Sequence, residues 1–338
     1  MALHPIWKDF LVDLGNAEST EYIIGYFKDG YNNTIYRGKA WKRPNEDNIT
    51  ICINDICEDW LINEFPSLVS GFNQEQMPVG FLVQTISEEG IYSEVANVRF
   101  VQDWSYDNTH DAEKDGVASP VNGVLDRRQY LLWTGIDVAS VNAVITKANG
   151  EQVRETISLG AFGDFSNDFS KDFAATLAVA GSGTLVRPVT RWEGAVKVSV
   201  NGVQYDVVDS CARYVLYYRN AFGGWDSLLC EGAPSEEDAL TRQTMEKAGA
   251  YGRQTTNYLN EIQKKFTLRT SWLSDEQSAR MHHLLNSTDV YLHDLVTNEI
   301  HPVVLENTTT PYKTFKGEGR AVVRYDINAV IAQSRKRR

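Results

Sequence analysis

No apolar run in this 338-residue chain approaches the ~18 residues of a membrane-crossing helix, so no membrane partner is expected. Positive charge is also short: 33 Lys and Arg stand against 45 Asp and Glu, a formal net charge of −12. A polyanion needs clustered Lys and Arg, so nucleic acid is not expected as the main partner. Cysteine is scarce. Cys52, Cys57, Cys211 and Cys230 are too few to staple a chain this long, and free thiols are expected. Cys52 and Cys57 stand five apart with no second pair nearby, which excludes a zinc knuckle. The opening Met-Ala-Leu-His-Pro has neither a basic nor an apolar leader region, so secretory export is not expected. Gly-x-Gly-x-x-Gly after a strand, a Walker loop and a Gly-x-Ser-x-Gly elbow are all missing, and with them the common nucleotide and acyl-transfer signatures. Proline is sparse at 9 residues and no segment is of low complexity. With 8 Trp, 16 Tyr and 13 Phe, the chain carries enough apolar surface to order itself.

What is present reads as β. Segments 22–27, 34–41, 49–53 and 79–85 are short and rich in Ile, Val and Tyr. Turn residues separate them at Asp29-Gly30, Asn32-Asn33 and 44–48, and a helical turn is predicted over 59–65. Ile49, Ile51 and Ile53 alternate with polar residues, which puts them on one face of a half-buried strand. After a polar connection over 103–122, a second β set spans 129–133, 141–147, 153–159, 184–189 and 196–200. Asn149-Gly150 and Asn201-Gly202 are the strongest hairpin-turn signals, since both turn positions accept positive φ. Another hairpin joins 214–219 to 225–230 around Gly223-Gly224, and 160–183 reads as a long packed loop. A linker over 231–241 and an extended or partly helical stretch to Lys265 follow.

The last unit opens with a strand at 266–269. A helix then begins after Ser274, the expected N-cap, with Gln277 three residues on in a capping box. Strands at 290–292, 300–305 and 321–331 follow, the last with Val323, Tyr325, Ile327, Ala329 and Ile331 on one face. The chain ends in Arg335, Lys336, Arg337 and Arg338. This basic end reads either as an arm that touches an acidic neighbour or nucleic acid, or as a solubilising terminus. The predicted fold is mainly β. Two β-sandwich or barrel-like domains, 1–103 and 104–235, precede a C-terminal α+β unit, 236–338, built of strand, helix and β-hairpin.

Chemistry finds little foothold, and neither a cofactor nor enzymatic activity is expected. Asp111, Glu113, Asp115 and Gly116 follow the start of a calcium loop, but the twelfth position, which needs a bidentate Glu, is Asn122. His282, His283, His293 and His301 cluster in sequence. Adjacent His282 and His283 point about 100° apart on a helix, which does not suit a shared metal. Trp104, Tyr106, Phe222 and Trp225 would suit sugar stacking if exposed. Filling cores or subunit contacts is the other reading of the same rings.

Several segments carry a resemblance: Trp104-Ser105-Tyr106-Asp107, Ser119-Pro120-Val121-Asn122-Gly123, Asp126-Arg127-Arg128-Gln129, and the runs 214–226, 272–278 and 290–294. Over roughly 100–338 the chain resembles virion structural proteins of Bacteroides-infecting tailed phages and related prophages. The C-terminal unit is similar in outline to the barrel-plus-helix units of tail-tube and distal-tail proteins. The resemblance implies a tail- or baseplate-associated virion subunit, assembled in the host bacterial cytoplasm, whose partners are copies of itself and other tail proteins. It carries no catalytic residues over. Host glycan is the alternative partner, through an attachment module at the tail tip. A hydrolytic tail enzyme is a further alternative without a visible carboxylate pair.

Overall fold

A computed structural model describes residues 2–6, 9–28, 31–58, 60–61, 65–66, 68, 71–73, 79–101, 123–138, 140–158, 181–220, 223–249, 252–270, 273, 275–307, 324–332 and 335–337. The fold is mainly β, with two short α-helices among these residues.

The N-terminal sheet takes β1 (Ala2–Pro5), β3 (Ser19–Lys28), β4 (Tyr31–Trp41), β7 (Val79–Ile86) and β8 (Tyr92–Val101) in the order β1-β8-β7-β3-β4. The pair β1–β8 is parallel and the others are antiparallel. Alternation sets one face inward: Ile24, Phe81, Val83, Val98 and Phe100 are fully buried. They pack under a small pair of strands, β2 (Leu11–Asp13) and β5 (Thr50–Cys52), and under α1 (Asn54–Glu58). Ile49 and Ile53 are buried with them and Ile51 packs against them, as their spacing predicts. The helix spans 54–58, and residues 59 and 62–64 of the helical turn expected over 59–65 lie outside the described residues. Its Asn54 is buried, accepts from the Phe10 amide at 2.7 Å and donates to the Ile6 carbonyl, which pins the helix start to the N-terminal segment. Of the two turns expected here, Asn32 and Asn33 lie inside β4, opposite Phe27 and Tyr26, while the hairpin closes between Lys28 and Tyr31 across Asp29-Gly30, which lies outside the described residues.

Two further sheets face each other as a sandwich. One has three strands, β10 (Tyr130–Val138), β13 (Gly181–Pro188) and β6 (Gly71–Asn73). The other has five: β12 (Gln152–Ser158), β11 (Ser140–Lys147), β14 (Ala195–Val200), β15 (Val203–Val208) and β9 (Gly123–Asp126). Leu131, Trp133 and Leu185 from the first meet Val141, Ile145, Val198, Val200 and Tyr205 from the second. Both Asn-Gly signals mark hairpins, with positive φ at both positions of Asn201-Gly202 and at the glycine alone of Asn149-Gly150. Gly150 sits at φ 84°, and Asn201 and Gly202 sit at 44° and 91°, closing β11–β12 and β14–β15.

The last sheet has eight strands. Its order is β17 (Trp225–Cys230), β16 (Tyr214–Arg219), β20 (Val290–Asp294), β21 (Glu299–Leu305), β22 (Asp326–Ile331), β19 (Gly252–Arg269) and β18 (Ser235–Gly249). The eighth strand, β23 (Arg335–Arg337), also pairs with β19. This sheet takes strands from both sides of residue 235, because β16 pairs with β20 along Tyr214–Tyr218. Only four residues, 231–234, join β17 to β18, the two ends of the strand order. At ~3.5 Å per residue they cannot span a flat sheet of this width, so the sheet curls. The curl brings Gly232 against Arg269. Its amide donates to the Arg269 carbonyl at 3.0 Å, and a Cβ on Gly232 would lie 2.5 Å from the Arg269 Cβ. The helix α2 (Asp275–Asn286) covers the concave face with Met281 and Leu284, over Leu216, Tyr218, Leu268, Leu292 and Ile327. Tyr325, Ile327 and Ala329 are buried and Ile331 packs against them, while Arg324, Asp326 and Asn328 are exposed, as the alternation predicts. The expected N-cap Ser274, Val323 and the loop 160–180 lie outside the described residues.

The three-stranded sheet is buried on both faces. Its outer Leu132 and Val186 meet Val215, Tyr217, Trp225 and Leu229 of the curled sheet. The Tyr217 hydroxyl accepts from the Tyr130 amide at 3.0 Å, and the Trp225 amide donates to the Thr134 hydroxyl at 3.1 Å.

Candidate functional site

Beyond its base, where Phe266 and Leu268 of β19 join the core, the hairpin of β18 and β19 contributes to no core cluster among the described residues. Its strands pair from Ser235 opposite Thr267 to Gly249 opposite Gly252. At ~3.3 Å per residue the 18 residues of β19 reach about 60 Å. Sheet neighbours cover only part of that length: β22 pairs with Lys265–Arg269 and β23 with Asn260–Ile262. Beyond Asn260 the two strands pair only with each other among the described residues. Of the linker expected over 231–241 and the extended or partly helical stretch expected to Lys265, 235–249 and 252–265 are the two strands of a ribbon, the extended alternative. Both of its faces meet solvent over 240–246, so no apolar period marks it in the sequence. A weak signal was present in Thr241, Thr244, Thr255 and Thr256, β-branched residues that favour strand over helix.

The ribbon is anchored at its base by charge. Arg213 reaches Glu236 at 2.8 Å and Asp294 at 2.9 Å, and the Tyr214 hydroxyl donates to Glu236 at 2.6 Å. Burial pushes the Asp294 carboxyl up, but bonds from Arg213 and from the Val296 and Thr297 amides outweigh it and hold it below the usual carboxylate range. Burial, then the Glu236 hydrogen bond, raises the Tyr214 hydroxyl, which stays protonated as a donor. Arg269 pairs with Asp326 at 2.6 Å and Lys265 with Glu306 at 2.7 Å. A cavity of about 220 Å³ beside the base is lined by Glu236, Glu237, Asp238, Lys264, Lys265 and Phe266. Its mixed charge favours no ligand of a single sign. Further out, Leu240, Met245 and Ile262 are exposed.

The basic end is not a free arm where it is described. Arg335, Lys336 and Arg337 form β23 against Ile262, Glu261 and Asn260, and Arg338 lies outside the described residues. Val330 faces Lys265 and Arg335 faces Ile262, so β23 follows β22 along the same edge of β19.

Of the rings considered for sugar stacking, Trp104, Tyr106 and Phe222 lie outside the described residues. Trp225 is interior, 1% exposed, with Phe65 at 5.2 Å, Tyr291 at 5.8 Å and the Arg219 guanidinium over its face at 4.9 Å. A ring so enclosed cannot stack on a sugar. Arg219 itself is buried. It donates to the Gly223 carbonyl at 2.9 Å, stands 3.8 Å from Asp289, and leaves Nε and Nη2 without hydrogen-bond partners among the described residues. Burial lowers its pKa to about 10, so it stays charged at neutral pH.

The histidines disperse. His282 and His283 are half-buried on α2, and His301 stands 3.4 Å from Glu299. His293 is buried, stacks on Tyr217 at 5.8 Å and bonds Asn298 at 3.0 Å. No three His, Cys, Asp or Glu side chains converge as a metal site among the described residues, and the acidic loop 107–116 lies outside them. All four cysteines are free, Cys57 and Cys230 buried, Cys52 and Cys211 exposed. No helix among the described residues is long and apolar enough to cross a membrane. What the hairpin offers is main-chain pairing along a strand edge, the chemistry of peptide and subunit recognition.

No family model and no curated protein matches the chain.

Proposed function

We propose that the chain is a structural subunit of a tailed-phage virion, associated with the tail or its baseplate, and that it works by protein–protein assembly. The hairpin carries this reading. A two-stranded ribbon has no core of its own and is marginal in isolation, so a ribbon of this length is better explained by a neighbour that completes it. The curled sheet with one covering helix suits a rigid platform for such an element. The virion assignment rests on the resemblance of 100–338 to phage structural proteins. Partners are other copies of the chain and neighbouring tail proteins. The glycan-binding alternative needed an open aromatic surface, and Trp225 cannot supply one.

Mass spectrometry of purified particles is the test. The chain is expected among the virion proteins, and an affinity-tagged copy is expected to co-purify with tail components. Absence from particles sinks the reading. A ribbon-shortened variant, with 241–261 replaced by a tight turn, is expected to fold but to be excluded from particles.

A further inference from the structure

The exposed edge of β18 carries a pattern that is complementary to itself. Asp238, Leu240 and Arg242 are two apart, so they share one face of the strand. Leu240 is 44% exposed, opposite Ile262 at 40%. Most charges around the base of the ribbon are spoken for: Arg213, Glu236, Lys265, Arg269 and Asp326 all form ion pairs. Asp238 and Arg242 form none among the described residues. The edges differ as well. One side of β19 is lined by β22 and β23, whereas among the described residues β18 pairs only with β19 and is otherwise an edge strand of 15 residues. It contains no proline, a common device for blunting such an edge. The other end of the strand order, β17, is buried against the three-stranded sheet.

We propose that β18 pairs antiparallel with β18 of a second copy about a two-fold axis through Leu240, joining the two curled sheets across the axis. The proposal rests on reading the hairpin as an assembly element and names the partner of that edge. In this register Asp238 faces the second copy's Arg242, Arg242 faces its Asp238, and the two Leu240 side chains meet at the axis, flanked by both Ile262. An isologous contact needs such self-complementarity, and cross-strand ion pairs and apolar pairs set register. Neighbouring registers fail. An axis at Thr241 sets Arg242 against Leu240 and leaves both charges unmatched. An axis at Ala239 sets Asp238 against Leu240 and turns Arg242 toward Glu236, which Arg213 and Tyr214 already hold. Main-chain hydrogen bonds supply most of the affinity, and the alternate side chains choose the partner.

The test is mass photometry and analytical ultracentrifugation of the full chain at micromolar concentration. The unaltered protein is expected to be dimeric. Asp238→Arg or Arg242→Asp alone places like charges opposite each other twice per dimer and is expected to weaken dimerisation about tenfold or more. An equimolar mixture of the two single variants restores both attractions and is expected to return as a heterodimer. The double variant Asp238→Arg/Arg242→Asp is expected to dimerise with itself. Both positions are exposed on the ribbon, so circular dichroism and melting curves are expected to stay unchanged and to show that each variant folds. A monomeric unaltered protein, a dimer indifferent to the single swaps, or a mixture that stays monomeric overturns the proposal. Particle mass spectrometry fails independently: a chain that dimerises this way but is missing from virions defeats the virion reading and leaves the pairing standing. A chain present in virions yet monomeric does the reverse.

Discussion

β16 and β18 belong to one sheet and are its opposites. All six residues of β16 are buried, Tyr214, Leu216 and Tyr218 toward the helix-covered core, Val215 and Tyr217 toward the three-stranded sheet. Along β18 every residue over 235–246 is exposed except Ala239, which is half-buried. Hydrogen bonding alone cannot account for the persistence of both, since a backbone bond exchanged with water contributes only about 1 kcal/mol net. Apolar burial holds β16. Ionic anchors at the base and its own ladder hold β18. A sheet thus separates the work of folding, at its middle, from a protruding edge left available for contact with something else.

The sharpest way to break this comparison is to injure each end of it. Trp225→Ala empties a fully enclosed site between the curled sheet and Phe65 and is expected to cost about 3–5 kcal/mol, read from urea denaturation. Replacing 241–261 by a tight turn removes far more chain, yet is expected to leave the unfolding midpoint almost in place. If the deletion costs as much as the tryptophan, the ribbon is part of the fold and the contrast collapses. A smaller loss is expected from Tyr217→Phe, about 1–2 kcal/mol. It removes a buried hydroxyl that accepts from the Tyr130 amide at 3.0 Å and donates to the Tyr130 carbonyl at 3.3 Å. Paired denaturation of Tyr217→Phe with and without the ribbon should show no coupling between the two ends.

The same contrast decides what could be read from the sequence. Where one face is wet and one dry, alternation is visible, and 79–85, 141–147 and 196–200 are strands as predicted. Turn chemistry is local, so Asn149-Gly150 and Asn201-Gly202 announce their hairpins unaided. The unbroken apolar run at 214–218 signals burial on two faces, but not which sheet supplies the neighbours, because that depends on pairing with Val290–Asp294 more than 70 residues away. The parallel pairs β1–β8 and β15–β9 are equally remote. The ribbon, wet on both faces, has no period to find. Composition marks Arg335, Lys336 and Arg337 as a docking arm or a solubilising terminus, and says nothing of the strand edge with which they pair.

Acid should reach the buried middle before the ribbon. His293 is fully enclosed against Tyr217 and Tyr130, with Nδ1 lacking a partner among the described residues and Asp294 and Asn298 beside it. Burial disfavours its cation and lowers its pKa from 6.5, against the weaker opposing pull of Asn298 and Asp294. Below 6.5 the unfolded chain binds a proton that the folded chain still refuses, so stability is full above that pH and falls as the pH drops toward the folded value. His293→Gln is expected to flatten the melting temperature between pH 7 and 5 without touching oligomeric state. Asp294 acts in a separate window. Its carboxyl sits below 3.8 in the folded chain, so its contribution is lost only as the pH falls below that value.

The least change is expected at the ribbon itself. Leu240→Thr keeps a strand-favouring side chain and removes an apolar group that is 44% exposed and touches no core cluster. Its effect on unfolding should stay within about 0.5 kcal/mol, the ordinary range for a surface substitution. The same change removes the apolar centre of the proposed two-fold contact, so dimerisation should weaken while the melting curve does not move. A loss of stability well above that range would mean that Leu240 is already covered within one chain and is not free to form the apolar centre of the two-fold contact.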